Sequence, residues 1–218
     1  MKRNTEIEIP FRDFQLSGEL IVPANAAGVV LFAHGSGSSR NSPRNQFVAR
    51  SLRESGVGTL LFDLLTQKEE EEDRHTGHLR FNIDLLAERL LAATAWCHRR
   101  EPESRIGYFG SSTGAAAALM AETRANTAIR AIVSRGGRPD LAGPALPNVK
   151  AATLLLVGGE DTAVIDMNQE AYARLRCPKE MRIIPEATHL FEEPGALEKV
   201  AEMASGWFAR WIESSRSD

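Results

Sequence analysis

Five short apolar runs recur along the chain, and segments with the pattern of amphipathic helices separate them. The runs are Gly28–Ala33, Val57–Phe62, Ile106–Phe109, Ile129–Val133 and Ala152–Val157. None of them alternates apolar with polar residues, and an unbroken apolar run is what a strand buried on both faces of a sheet requires. Strands joined by helices form right-handed crossovers, so the pattern predicts a parallel sheet covered by helices on both faces.

The flanking segments complete a doubly wound α/β sheet of about eight strands. Thr5–Ile9 and Phe14–Val22 alternate and predict an antiparallel pair at the N-terminal edge, and Met181–Ile184 predicts a last strand. Predicted helices cover Asn45–Glu54, Leu79–His98, Thr113–Thr123, a segment that starts at Asp166 and a segment from Pro194 to Ile212. A chain of 218 residues suits one core, so we predict a single domain over residues 1–218.

Two segments bear on how open the predicted sheet edge is. Roughly 18 residues separate Val133 from Ala152, too few for a helical cap at that point. We therefore expect no cap domain and an open site. The acidic run Lys68–Asp73 predicts a solvated loop or a frayed helix start, and a mobile flap over the site is the alternative.

Composition and charge exclude several classes of partner. The formal net charge is −3, and no block of Lys and Arg marks a surface, so we expect no nucleic acid partner. No apolar run follows the early basic residues and none approaches about 20 residues, so we expect neither a signal peptide nor a membrane partner, and a cytoplasmic protein. Cys97 and Cys177 are isolated, which predicts free thiols and neither a metal nor another cofactor. The oligomeric state is left open.

The segment Gly110-Ser-Ser-Thr-Gly114 is a G-x-S-x-G motif between an apolar run and an alanine-rich helix. In this context the central serine occupies a tight strand-to-helix turn, and glycine on either side relieves the crowding. We predict Ser112 as a nucleophile and the Thr113 N–H as a donor to an oxyanion at the start of the helix. Ser111 is the neighbouring alternative nucleophile.

A candidate acid and base follow the serine at the ends of later strands. Asp161 comes after Ala152–Val157, and His189 comes after Met181–Ile184, so both belong at the carboxyl edge of the sheet. A carboxylate there can accept the Nδ1 proton of an imidazole that takes the proton of the serine. The order serine, acid, histidine is that of the α/β hydrolases. The rivals are Glu160 and Asp166 for the acid, with Asp166 better explained as a helix cap, and His75, His78 and His98 for the base.

With these residues identified, the chain resembles the dienelactone hydrolase-like branch of the α/β hydrolases, in particular small serine-containing members that are sometimes fused to phosphoribosyltransferase domains. The similar stretches are His34–Asn45, Leu61–Leu65, Gly107–Gly114 and Thr188–Gly195. The resemblance implies an α/β-hydrolase fold and a triad of Ser112, Asp161 and His189. The namesake enzymes use cysteine in place of this serine, so their lactone substrate is not carried over.

The glycine-rich turn His34–Arg40 lies where the resemblance places a second backbone donor, and by analogy with HG-x turns this donor is the Ser36 N–H. No G-x-x-x-x-G-K-[ST] follows, which disfavours a phosphate-cradling loop. His34 is interpreted as a structural imidazole. The combined prediction is a carboxylesterase-like serine hydrolase that cleaves small soluble esters, thioesters or lactones through an acyl-enzyme on Ser112. A ligand-binding protein that retains the triad, or an acyltransferase, is the alternative.

Three arginines fall at or near the carboxyl ends of predicted strands: Arg40, Arg44 and Arg135. We hypothesise that at least one of them binds a carboxylate of the substrate. Surface ion pairs or loop anchoring are the alternative roles.

Overall fold

The computed structural model describes residues 3–213 and contains one eight-stranded sheet. The strands are β1 Arg3–Phe11, β2 Phe14–Val22, β3 Gly28–Ala33, β4 Gly58–Phe62, β5 Arg105–Ser111, β6 Ile129–Arg135, β7 Ala152–Gly158 and β8 Lys179–Ile184. Their order across the sheet is β1-β2-β4-β3-β5-β6-β7-β8. Strands β3 to β8 are parallel, and the β1–β2 pair joins β4 antiparallel, so the predicted architecture is confirmed.

Consecutive residues of the central strands enter two separate apolar cores, one on each face of the sheet. Leu60 lies in the core beneath the helices that follow β4 and β5, whereas Leu61 lies in the core on the other face with Phe109. Because successive side chains of a strand point to opposite faces, a strand covered on both sides has to be apolar throughout. This is why the five unbroken apolar runs are strands.

Among residues 3–213, six α-helices cover the sheet, and a 3₁₀ segment and a π-helical turn accompany them. The helices are α1 Pro43–Glu54, α2 Gln67–Thr76, α3 Ile83–Arg100, α4 Thr113–Glu122, α5 Thr162–Arg174 and α6 Ala196–Phe208, with a 3₁₀ segment at Pro139–Asn148 and a π-helical turn at Ala209–Glu213. The helix predicted from Asp166 starts instead at Thr162, so Asp166 is not its cap. The helix predicted from Leu79 starts at Ile83, where the side chain of Asn82 accepts the Leu85 N–H.

The acidic run Lys68–Asp73 begins at the second residue of α2, so of the two interpretations the helix start is confirmed and the loop was wrong. The Thr66 hydroxyl accepts the Glu69 N–H, and the Glu69 carboxylate accepts the Thr66 N–H, which makes a complete capping box. Gly77 ends the helix with φ +67°, a backbone conformation that favours glycine. Local capping therefore holds this polar segment in a helix next to the carboxyl edge of the sheet.

The connection between β6 and β7 carries no cap domain, as the short spacing predicted. The 3₁₀ segment Pro139–Asn148 fills it, interrupted at Gly143, which has φ +47°. Within residues 3–213, no helix is long and apolar enough to cross a membrane.

Candidate active site

Ser112 occupies the turn between the last residue of β5 and the first residue of α4. Its backbone has φ +50° and ψ −124°, a conformation that residues other than glycine rarely adopt. The Ser112 N–H donates to the Arg135 carbonyl at 3.4 Å, and the Ser112 carbonyl accepts the Arg138 N–H at 3.0 Å. The surrounding backbone thus holds Ser112 in a strained turn of the kind that the motif predicts.

The two glycines of the motif are required by close backbone contacts. A Cβ at Gly110 would lie 2.5 Å from the Ala115 Cα, and a Cβ at Gly114 would lie 2.1 Å from the Ala33 carbonyl oxygen. Both distances are shorter than a Cβ can tolerate. Larger residues here would push α4 away from the sheet and change the position of Ser112.

The turn after β3 lies directly against Ser112. A Cβ at Gly35 would be 2.9 Å from the Ser112 Cβ, and the Ser36 hydroxyl lies 3.1 Å from the Thr113 hydroxyl. In the part of the chain that the structure describes, the Ser36 and Thr113 N–H groups have no hydrogen-bond acceptor. Two unpaired backbone donors therefore flank the candidate nucleophile, one of them at the N-terminus of α4.

Asp161 and His189 are brought together, as chain order and strand-end placement predicted. The His189 Nδ1–H donates to the Asp161 Oδ2 at 2.6 Å. Asp161 precedes α5 without bonding its N-terminus through the side chain, so the carboxylate is available to the imidazole. A Cβ at Gly136 would lie 3.6 Å from the His189 Cε1, so the ring sits at the end of β6 beside the Ser112 turn.

The described residues hold no hydrogen bond between the Ser112 hydroxyl and the His189 imidazole. Bonds of this kind are often long in unliganded sites and tighten when substrate binds. The rival acid Asp166 lies inside α5. Of the rival bases, His78 contacts the Thr76 hydroxyl at 2.7 Å and His98 lies in the last turn of α3.

His34 is buried at the start of the turn that follows β3. Its Nε2 accepts the Leu64 N–H at 2.9 Å, and its Nδ1 bonds the Gly35 carbonyl at 3.0 Å. Because Nε2 accepts an N–H and Nδ1 faces a carbonyl, the hydrogen bonds fit a neutral ring with its proton on Nδ1, and burial also lowers the pKa of the imidazole. Because backbone groups occupy both nitrogens, His34 has no free lone pair with which to act as a base.

The three candidate arginines have different surroundings. Arg40 anchors its loop, with Nε 3.4 Å from the Asp63 Oδ2 and Nη1 3.1 Å from the Glu6 Oε2. Arg44 pairs with the exposed Glu192 at 2.8 Å. Arg135 is buried, and its Nε and Nη1 have no hydrogen-bond partner among residues 3–213.

A groove of about 340 Å³ runs beside the turn that follows β3, and its wall includes Ser36, Arg44 and Glu70. Glu70 belongs to α2, and sequence reasoning did not identify it as a site residue. Burial, followed by the nearby Asp63 carboxylate, raises the pKa of Glu70. The flap interpretation of the acidic run was the only signal that pointed to it.

The model of the dienelactone hydrolase family matches residues 16–213. The chain belongs to the dienelactone hydrolase family. A dienelactone hydrolase from Anabaena variabilis is 53% identical, with a TM-score of 0.93 over 96% of this chain and 98% of that one. An esterase from Pyrococcus furiosus has a TM-score of 0.78 at 21% identity over 97% of this chain and 92% of that one, which is a likeness of fold. These matches confirm the α/β-hydrolase fold and indicate a hydrolase.

Two Mycobacterium tuberculosis proteins, provisionally named phosphoribosyl transferases, are also relatives of this dienelactone hydrolase family member. Each is 49% identical over 209 residues, which is 94% of this chain and 46% of the relative. The chain thus spans about half the length of these curated relatives.

Proposed function

We propose that this protein is a carboxylesterase-like serine hydrolase that cleaves small soluble esters, thioesters or lactones through an acyl-enzyme on Ser112. The observation that carries the proposal is the placement of the strained Ser112 turn between the paired Asp161–His189 and the unpaired N–H groups of Ser36 and Thr113. Nucleophile, base, orienting acid and oxyanion donors are the parts that acyl transfer through a serine requires.

In the proposed reaction the His189 Nε2 accepts the proton of the Ser112 hydroxyl while the serine oxygen attacks the acyl carbonyl. Asp161 holds the Nδ1 proton, so that Nε2 faces the serine, and it stabilises the imidazolium that forms. His189 then protonates the leaving group, and water repeats the sequence to release the acid.

The Ser36 and Thr113 N–H groups would bind the oxygen that becomes negative in the tetrahedral intermediate. Both donors are unpaired among the residues that the structure describes, so no hydrogen bond seen there has to break when the charge develops. One donor of this kind is worth about 3 kcal/mol of barrier. The position of Thr113 at the start of α4 adds the favourable end of the helix dipole.

Labelling with a fluorophosphonate probe tests the nucleophile. We expect intact-mass analysis to show one label on the wild-type chain, none on Ser112→Ala and one on Ser111→Ala, the matched control. An unlabelled wild-type chain, folded by circular dichroism, would favour a binding protein that retains the triad geometry.

A second pair of variants tests the acid. Asp161→Asn should lower kcat by up to about 10⁴-fold, because the amide favours the wrong imidazole tautomer. Glu160→Gln, one residue earlier, should leave kcat within a small factor of wild type. Equal losses in the two variants would remove Asp161 from its proposed role.

The transferase name of the mycobacterial relatives does not lead us to propose that activity. This chain spans 46% of those proteins, and the dienelactone hydrolase family model matches residues 16–213 of this chain. An acyltransferase, the alternative, would form the same acyl-enzyme. Measuring how the products partition between water and added alcohols or thiols distinguishes acyl transfer from hydrolysis.

A further inference from the structure

Asn168 is a fully buried amide in the second turn of α5, the helix that begins directly after Asp161. Its Nδ2 donates to the Gly137 carbonyl at 3.0 Å and to the Val164 carbonyl at 2.8 Å. The side-chain amide has two N–H donors, and both are used here. Its Oδ1 is buried without a partner in the described part of the chain. An unpaired buried oxygen costs stability, so packing alone does not explain an asparagine at this position.

Gly137, which accepts one of these bonds, belongs to the four residues after the core of β6, here called segment 135–138. This segment holds the turn of the candidate nucleophile from two sides. The Arg135 carbonyl accepts the Ser112 N–H at 3.4 Å, and the Arg138 N–H donates to the Ser112 carbonyl at 3.0 Å. A shift of segment 135–138 would therefore move Ser112.

The candidate acid and base are held to each other by bonds of their own. The His189 Nδ1–H donates to the Asp161 Oδ2 at 2.6 Å. The loops that carry them are also joined, because the Glu160 N–H donates to the Ala187 carbonyl at 3.0 Å. Asp161 and His189 thus form one unit, and Ser112 with segment 135–138 forms another.

The two bonds of Asn168 connect these two units. Val164 lies in the first turn of α5, and its N–H donates to the Asp161 carbonyl at 3.0 Å. Because Asn168 bonds the Val164 carbonyl as well as segment 135–138, it links the turn that follows the acid to the backbone that holds the nucleophile. The link matters because no hydrogen bond joins Ser112 to His189 directly among residues 3–213.

We infer that Asn168 is a positioning residue that sets the distance between the His189 Nε2 and the Ser112 hydroxyl by tying the first turn of α5 to segment 135–138. The inference rests on the proposed function, because this distance matters for a reaction only if His189 takes the serine proton. A misplacement of about 1 Å between reacting groups can lower a rate about 100-fold. A single buried amide between the two units can therefore affect catalysis without touching substrate.

Asn168→Leu, which keeps a similar volume and removes both donors, tests the inference. We expect kcat on p-nitrophenyl butyrate and the rate of fluorophosphonate labelling to fall about 10- to 100-fold well below the Tm, with KM within about threefold of wild type. Gln169→Leu removes the exposed amide of the next residue and should keep the wild-type kcat.

A second control separates positioning from a loss of stability. Ala171→Gly weakens the same helix at a buried position and leaves the Asn168 bonds in place, so it should lower the Tm and keep kcat within about threefold of wild type. Loss of kcat in Ala171→Gly equal to that in Asn168→Leu would overturn the inference, because destabilised α5 would then be the cause.

Proton NMR shows which distance has changed. The downfield resonance of the His189 Nδ1–H reports the bond to Asp161. It should persist in Asn168→Leu, where the acid and base stay together, and disappear in Asp161→Asn. Its loss in Asn168→Leu would overturn the inference, because Asn168 would then act on the acid–base pair itself.

Asn168→Asp keeps the test open if Asn168→Leu does not fold. Burial favours the neutral form of the new carboxyl group, which has one O–H donor where the amide has two. We expect a kcat below that of wild type and, where both variants fold, above that of Asn168→Leu. A wild-type kcat in folded Asn168→Asp would overturn the inference.

The outcomes also distinguish this inference from the proposed hydrolase. An active wild-type protein whose kcat and labelling rate are unchanged in folded Asn168→Leu would overturn the positioning role while the hydrolase stands. A folded wild-type protein with neither hydrolysis nor labelling would overturn both.

Discussion

Arg89 and Glu69 form a two-point ion pair that ties α2 to α3. The Arg89 Nη1 and Nη2 lie 2.8 and 2.5 Å from the two carboxylate oxygens of Glu69, and Nη1 also donates to the Leu64 carbonyl. Arg89 is 2% exposed, whereas Glu69 is 24% exposed. The pair fixes the helix that contributes Glu70 to the groove beside the turn that follows β3.

Glu69→Gln should lower the free energy of unfolding by about 3 kcal/mol, because it leaves the buried Arg89 without its counter-ion. Burial opposes ionisation of Glu69, but the hydrogen bonds from Arg89 and Thr66 overcome it and lower its pKa. The stabilisation is thus complete above the ordinary glutamate pKa of about 4.3 and is lost as pH falls through the lowered value. Urea unfolding of wild type and Glu69→Gln at several pH values between 7 and 3 measures this difference in the free energy of unfolding.

The control is Glu72→Gln, an exposed position on the same helix, which should change stability by less than about 0.5 kcal/mol. If the gap between wild type and Glu69→Gln stayed constant down to pH 3, the ion pair would not be its source.

Gly35→Ala should reduce esterase kcat by about 100-fold with a small change in Tm. The new Cβ would lie 2.9 Å from the Ser112 Cβ and 3.1 Å from the Ser111 carbonyl oxygen, so the turn that carries the Ser36 N–H must shift. The magnitude is that of a lost oxyanion donor. The measurement is kcat on p-nitrophenyl butyrate, with Tm by differential scanning fluorimetry.

Gly206→Ala is the matched control for this substitution. Gly206 is exposed within α6, and apart from its chain neighbours and the backbone of its own helix, no atom of the described residues lies within 4 Å of the place that an alanine methyl group would occupy. Alanine should therefore raise stability by about 0.5–1 kcal/mol and leave kcat unchanged. A Gly35→Ala protein with wild-type kcat would contradict the role given to the turn.

His34→Gln should remove part of the dependence of stability on pH below neutrality. The folded-state pKa of His34 is lowered by burial, so unfolding takes up a proton, and stability falls as pH drops from about 6.5 through that lowered value. One such group contributes up to about 1.4 kcal/mol per pH unit. The free energy of unfolding at pH 7.5 and 5.5 measures the effect, and His75→Gln, at an exposed position, should behave like wild type. A pH dependence in His34→Gln identical to that of wild type would refute this assignment.

The strands were predictable because burial on both faces leaves an unambiguous apolar run, and the ends of those strands located Ser112, Asp161 and His189. Helix α2 was not predictable by periodicity, since it presents polar residues all round. The residues of its capping box, Thr66 and Glu69, were visible in the sequence. The ion pair that ties the helix to the rest of the fold comes from Arg89, which is distant in sequence. Likewise, α5 starts at Thr162, directly after Asp161 and soon after β7 ends at Gly158. The cap-like Asp166 lies inside this helix and does not mark its start.

Arg135 shows a different limit of sequence reasoning. Its position at the end of an apolar strand predicted that it lies at the carboxyl edge of the sheet. The same argument applied equally to Arg40 and Arg44. What separates the three is the set of carboxylates around each side chain, which depends on loops from other parts of the chain. These surroundings are set by the tertiary structure, so the sequence next to each arginine does not predict them.

The short 3₁₀ segment in place of a cap affects which acceptor would receive an acyl group from Ser112. His189 is 38% exposed, so bulk water can reach the base without displacing any part of the fold. Every alcohol or thiol acceptor would have to compete with that water for the same intermediate. If Ser112 forms the proposed acyl-enzyme, water is therefore its expected acceptor at this open edge, and acyl transfer would require an acceptor that binds well enough to compete with water.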